Sequence, residues 1–170
     1  MSRRILTGIT TTGIPHIGNY FGAIKPALQL SSEKNVSSYF FLADLHAIIK
    51  QTNPNEIKVS VNEVALAWLS SGLDPEKSFF YRQSNIPEIT ELAWILSCVT
   101  AKGLINRSHA YKAAVQLNHD HTKDEDKGIS MGLFSYPVLM AADILMFNSS
   151  HVPVGKDQLQ HLDITRDIAE

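Results

Sequence analysis

The run Ser38-Tyr39-Phe40-Phe41-Leu42-Ala43 is aromatic and aliphatic without a break after its serine, and it stops abruptly at Asp44-Leu45-His46. A strand with one wet face alternates polar and apolar residues. A continuous apolar strand is covered on both faces, and helices are the usual cover. Two similar short runs flank it in sequence, Arg4 to Gly8 and Ser78 to Arg82 (SFFYR). Between the runs lie stretches with helical spacing. Strand, helix, strand, helix, strand, helix is the order of an α/β fold with a doubly wound parallel sheet, not of a sandwich or a bundle. Residues 151 to 154 (HVPV) read as a further short strand.

The helical stretches are uneven in clarity. Ile17, Phe21, Ile24 and Leu28 fall on one helical face of a segment running to about Ser31, with Pro26 predicting a kink or a late start. From Pro54 to Ser71, residues Ile57, Val61, Val64, Ala65, Trp68 and Leu69 keep helical spacing, and Gly72 reads as the C-cap. Pro87 to Ala101 forms the next helix, with Ile89, Leu92, Ala93 and Leu96 inward. Residues 103 to 130 are polar and charged and read as a solvated, mobile loop. Its Asn118-His119-Asp120-His121 could be imagined as metal ligands, but a ligand set on one flexible segment lacks enforced geometry. Ser135-Tyr136-Pro137 reads as the start of a helix to about Phe147, apolar almost all round and therefore buried. Asp157 with Gln160 fits a capping box for a last helix that is still running at Glu170.

With 170 residues, 44% of them hydrophobic and 19% charged, the chain can bury the core of one domain, which excludes disorder and fibrous architecture. No apolar run is long enough to span a bilayer, and Met1-Ser2-Arg3-Arg4 leads into Ile5 without a signal-peptide pattern, so a cytoplasmic protein with no membrane partner is expected. The single cysteine, Cys98, excludes an internal disulfide framework and reads as a buried small apolar residue. A net charge of -2 argues against holding nucleic acid mainly by charge.

Three constellations carry chemistry. His16-Ile17-Gly18-Asn19 opens a helix after the first strand and a hydroxyl-rich turn, Thr10-Thr11-Thr12. Backbone N–H groups there suit a phosphate, and Gly18 would let a nucleotide approach, although a histidine and glycine serving only the turn is about as good a reading. Asp143 lies in the apolar helix, where an unpaired carboxylate is costly, so it needs a partner. That partner is a buried base, an element it caps, or a ligand with an N–H. Tyr136 and Met140, at i−7 and i−3 from Asp143, share its face and would otherwise be plain core. Last, Val152 to Gln158 forms a strand end and helix start, and strand carboxyl ends are where ligands bind in parallel sheets.

Taken together, T-G-I-T-T-T-G-I-P-H-I-G-N-Y-F-G-A-I (7–24), Y-P-V-L-M-A-A-D-I-L (136–145) and V-P-V-G-K-D-Q-L-Q-H (152–161) resemble the catalytic domain of the bacterial-type tryptophanyl-tRNA synthetases, class I aminoacyl-tRNA synthetases. The resemblance spans essentially the whole chain as one Rossmann-like domain. It implies that His16, Gly18 and Asn19 form the HIGH-type catalytic signature. With Thr10, Thr11, Thr12, Gly155 and Asp157 these residues would contact ATP, which arrives as its Mg²⁺ complex. By the same resemblance Asp143 accepts the indole N–H, and Met140, Ile144, Val152 and Val154 line the indole pocket. Tyr136 and Gln158 hold the ammonium group, and Asp44 and His46 lie near the amino acid. No resident metal or permanent cofactor is implied. The partners are tryptophan, ATP and tRNA(Trp), and the family forms homodimers. Thr10 and Thr11 stand where many relatives have glutamine and proline, Lys156 replaces a common glutamate, and Ala114 a frequent lysine. The KMSKS signature and helical anticodon-binding domain of the family are expected beyond Glu170.

The implied reaction is attack of the tryptophan carboxylate on the α-phosphorus of ATP, then transfer to tRNA. Three other readings are a tyrosyl-tRNA synthetase, a small nucleotidyltransferase sharing the phosphate site, and a non-catalytic fragment that binds tryptophan or nucleotide.

Overall fold

The computed structural model describes residues 3–121 and 123–170, apart from the side chain of Asp157. The chain folds into two compact units, one running up to Pro87 and including Phe147–Gly155, the other comprising Glu88–Met146 and Lys156–Glu170.

The first unit is built on three parallel strands, β1 (Arg3–Thr10), β2 (Val36–Ala43) and β3 (Phe79–Arg82), in the order β1-β2-β3. Ile5 pairs with Ser38 and Ile9 with Leu42, while Tyr39 pairs with Phe79 and Phe41 with Tyr81. Register partners share a face. Ile9, Phe40 and Leu42 therefore point into one apolar layer, and Tyr39–Phe79 and Phe41–Tyr81 stack on the other at 4.8 and 5.6 Å. Residues 151–154 do not form the expected strand. His151 alone bridges Ile5, in parallel, on the edge of β1 away from β2. The Ser150 hydroxyl competes there by accepting from the Arg4 N–H, and Pro153 has no N–H for a ladder. The bridge still places chain on both sides of β1, which keeps the doubly wound parallel pattern with its switch point at β1.

Between β1 and β2, α1 (Ile17–Asn19) runs through a π turn (Tyr20–Ile24) into α2 (Lys25–Ser31). Of the two outcomes Pro26 allowed, the structure shows the late start: Pro26 is an early residue of α2, where its missing N–H is harmless. The π turn shifts the helical phase. Hence Ile17 and Phe21 are exposed while Ile24 is buried, although the sequence spacing put all three on one face. The short α3 (Asp44–Ala47) follows β2. The crossover helix α4 (Pro54–Ser70) then packs Val61, Val64 and Trp68 against Phe40. Gly72, at φ +100°, ends it as expected: its N–H reaches Leu69 O at 3.1 Å, the Leu73 N–H reaches Trp68 O at 3.2 Å, and Leu73 is buried in the same core as Trp68.

The second unit is helical. Its first helix, α5 (Pro87–Val99), turns Ile89 inward as expected, but Cys98 is exposed, not buried. Cys98 falls on the opposite face from Ile89, beside the exposed Trp94 and Ile95. The polar stretch 103–130 is not a loop throughout, because α6 (Lys102–Ile105) and α7 (His109–Asp120) lie within it. Tyr111 and Asn118, one buried face seven residues apart, explain α7. Tyr111 donates to Asp126, and the Asn118 amide clamps the carbonyls of Glu125 and Lys127. A polar residue spent on backbone inside the fold looks, in sequence, like loop. The apolar helix α8 (Met131–Met146) begins a turn earlier than Ser135, with Ser130 Oγ accepting the Leu133 N–H, so Pro137 sits inside the helix. A 3₁₀ turn (Lys156–Gln158) leads into α9 (Leu159–Ala169). Gln160 makes no capping box; its amide joins His109 N–H and Arg107 O. Ile105, Val138 and Ile164 form the apolar core of this unit.

Candidate active site

At the carboxyl end of β1 the chain turns through Thr10, Thr11 and Thr12. Thr11 is fully buried, so only Thr10 and Thr12 can offer hydroxyls outward. Gly13, at φ +82°, takes a conformation that glycine tolerates without strain, and its N–H is fixed by Ser60 Oγ on α4 at 2.9 Å. His16 then caps α1 reciprocally. Its Nδ1 accepts the Gly18 N–H at 3.1 Å, and Asn19 Oδ1 accepts the His16 N–H at 2.9 Å. Accepting at Nδ1 places the imidazole proton on Nε2, which makes Nε2–H a donor on an exposed side chain. A β-carbon on Gly18 would strike the His16 ring, so the glycine serves the cap before it serves any ligand. The Gly18 N–H, one of the backbone donors at this helix start, is spent on His16.

At the carboxyl end of β2, Asp44 is buried and its carboxylate is fully engaged. Oδ2 accepts from Arg82 Nε at 2.5 Å and Ser84 Oγ at 2.6 Å, and Oδ1 accepts the Ser84 N–H at 3.0 Å. Burial pushes this carboxyl up, but the hydrogen bonds from Ser84 and Arg82 outweigh it and hold it below its ordinary value. Gln83 Oε1 accepts the Leu45 N–H at 3.1 Å, so two side chains bolt α3 to the turn after β3. Asp44 thus orients α3, which carries the half-buried His46. Val152, Val154 and Gly155 follow the His151 bridge beside β1, the two valines half-buried and the glycine exposed.

In the second unit, Tyr136, Met140, Asp143 and Ile144 lie along one face of α8. Asp143 is 1% exposed, while Tyr136 and Met140 are half-buried. The Tyr136 hydroxyl lies 2.6 Å from His161 Nε2 on α9, with the two rings edge to face at 5.0 Å. Burial pushes the Tyr136 phenol up, so it stays protonated at neutral pH. Sequence reasoning gave His161 no role. The available signal was its place in the Val152–His161 stretch, on the helical face of Ile164 and Thr165, both buried. Gln158 is half-buried at the end of the 3₁₀ turn, and the side chain of Asp157 lies outside the described residues. His119, Asp120 and His121 are exposed, and no group of three or more His, Cys, Asp or Glu that could hold a metal occurs among the described residues. No helix among them is long and apolar enough to cross a membrane.

The family model for class I tRNA synthetases of the W and Y type matches residues 2–170. This chain belongs to that family. Relatives named tryptophan–tRNA ligase are 61% identical over all 170 residues in Pseudomonas putida, covering 38% of that protein, and 60% identical over 168 residues in Neisseria meningitidis, covering 98% of this chain and 50% of that protein. The tryptophanyl-tRNA synthetase of Campylobacter jejuni, solved with ADP and tryptophan, superposes with a TM-score of 0.85 at 47% identity, over 98% of this chain and 49% of that one. The chain therefore spans between about a third and a half of the length of these relatives. The family's α/β fold agrees with the parallel sheet and its helices.

Proposed function

We propose that the chain is the ATP- and tryptophan-binding part of a tryptophan–tRNA ligase. The observation that carries the reading is Asp143, a carboxylate 1% exposed in an otherwise apolar helix, sharing its face with Tyr136, Met140 and Ile144. A flat apolar ring with one N–H donor matches that face, and the relatives at about 60% identity bear the name of tryptophan ligases.

In the proposed reaction an oxygen of the tryptophan carboxylate attacks the α-phosphorus of Mg²⁺-bound ATP. The bond from the α-phosphorus to the bridging oxygen breaks, and pyrophosphate leaves. A ribose hydroxyl of tRNA(Trp) then takes the acyl group and releases AMP. Neither step needs a covalent enzyme intermediate, so the protein contributes positioning and charge stabilisation. His16 Nε2–H is the donor offered to phosphate. Asp143 accepts the indole N–H and rejects phenylalanine, which would leave the carboxylate buried without that donor. Tyr136 and Gln158 take the ammonium group. The roles the resemblance gives to Thr10, Thr12, His46, Val152, Val154, Gly155 and Asp157 belong to the same proposal.

A second copy is the proposed partner of α5. Trp94, Ile95 and Val99 are 72%, 59% and 72% exposed along one side of it, an apolar stripe of the kind that marks association surfaces. Sedimentation should show a discrete dimer that Trp94→Glu converts to monomer. Calorimetry tests the substrate: tryptophan should bind, and tyrosine and phenylalanine should not. Preferential binding of tyrosine would replace the reading with its tyrosyl alternative.

A further inference from the structure

We propose that His161 is a positioning residue, turning the Tyr136 hydroxyl so that its oxygen meets the ammonium group of the amino acid as an acceptor. The inference rests on the tryptophan reading above and adds to it how the polarity of that contact is set.

His161 is 2% exposed, and its Nε2 stands 2.6 Å from the Tyr136 oxygen across the α8–α9 packing. Two polarities fit that distance. If Nε2 carries the proton, the imidazole donates to the phenol oxygen and the phenol hydrogen points elsewhere. If the proton is on Nδ1, the phenol donates to Nε2 and presents its oxygen as an acceptor. An ammonium group has donors only, so it is best met by the second arrangement, which leaves both lone pairs of the phenol oxygen free. In the first, Nε2–H already occupies one lone pair and the phenol hydrogen competes for the ligand's side. An imidazolium would be worse, since it fixes the first polarity and adds a positive charge beside the ligand's own. Burial keeps the phenol protonated and therefore able to donate. The pair is not needed as mere packing, because Val138 and Ile164 already give α8 and α9 an apolar contact with Phe134 beside it. A polar pair in that place serves orientation.

Calorimetry on the full chain with tryptophan and with indole-3-propionate, which lacks the amine, reads the effect as the ratio of the two dissociation constants. His161→Phe should weaken tryptophan by about tenfold, the scale of one charge-assisted hydrogen bond, and leave indole-3-propionate unchanged. Tyr136→Phe should do the same, and the double substitution should be no worse than either single one. His161→Gln, whose carbonyl reaches near the place of Nε2, should restore most of the tryptophan preference. Equal weakening of both ligands, or additive losses in the double variant, would overturn the proposal by making His161 a structural residue. If His161→Phe does not fold, His161→Asn, too short to reach the phenol, gives the same readout. A wild-type chain that binds neither ligand defeats the tryptophan reading itself, which separates the two failures.

Discussion

A β-carbon on Gly18 would lie 2.8 Å from Cε1 and 2.9 Å from Nδ1 of His16. Real β-carbons do not approach ring atoms so closely, so glycine at 18 and the position of the imidazole at 16 are one geometric condition. The His16 ring rests where a side chain at 18 would have to be.

Gly18→Ala should therefore act through His16. The alanine gains helix propensity of up to about 1 kcal/mol, offsetting the loss of the cap, so the melting temperature should move little. The imidazole must swing away from the Gly18 N–H, and ATP affinity should fall by about tenfold if one phosphate donor is lost. Equilibrium ATP titration beside a thermal melt separates the two. An unchanged affinity would mean that the ring does not face the nucleotide.

Asp44→Asn should cost stability, because an amide nitrogen replaces one of the two oxygens that accept from Arg82 and Ser84. Arg82 reaches solvent, which limits the loss to about 2–3 kcal/mol. The pH dependence has a definite sign. The folded carboxyl titrates below its ordinary value of 3.8, so its stabilisation is complete above that value and disappears as pH falls through the lower folded value. Denaturant melts of the wild type between about pH 5 and pH 2 should show this decline, and Asp44→Asn should flatten it.

Gln160→Ala removes the side chain that accepts the His109 N–H at 2.7 Å and donates to Arg107 O at 3.0 Å. The amide caps α7 from another helix. Two net hydrogen bonds amount to about 1–3 kcal/mol. Hydrogen exchange should accelerate most at the His109 amide; uniform acceleration across the second unit would show a global effect instead.

Asp143→Ala should weaken tryptophan by roughly ten- to a hundredfold, the range expected for one charge-assisted hydrogen bond, while an indole-N-methylated analogue is much less affected. Calorimetry on both ligands decides. Equal weakening would show that Asp143 holds the pocket in shape and does not read the indole N–H.

The strands β1, β2 and β3 and the stop at Gly72 were legible because they rest on local facts: an unbroken apolar run, and a residue that accepts φ of +100°. His16 with Gly18 and Asp143 stood out in the sequence as candidates, since a carboxylate in an apolar helix contrasts with its neighbours. Tertiary structure alone decided where the polar side chains spend their hydrogen bonds. Asn118 closes a turn onto α7, Gln160 caps a helix more than fifty residues earlier in the chain, and Asp44 binds Arg82 and Ser84. Asn118 was read as loop and Gln160 as half of a capping box, each from its neighbours in sequence, because the partner that defines it is brought near only by folding. The π turn at Tyr20–Ile24 shows the same limit on the apolar side. Periodicity assumes a constant residue count per turn, and one local change of that count exposed Ile17 and Phe21 while Ile24 stayed in the core. Sequence determines which side chains are able to be buried or bonded; the packed backbone determines which of them meet.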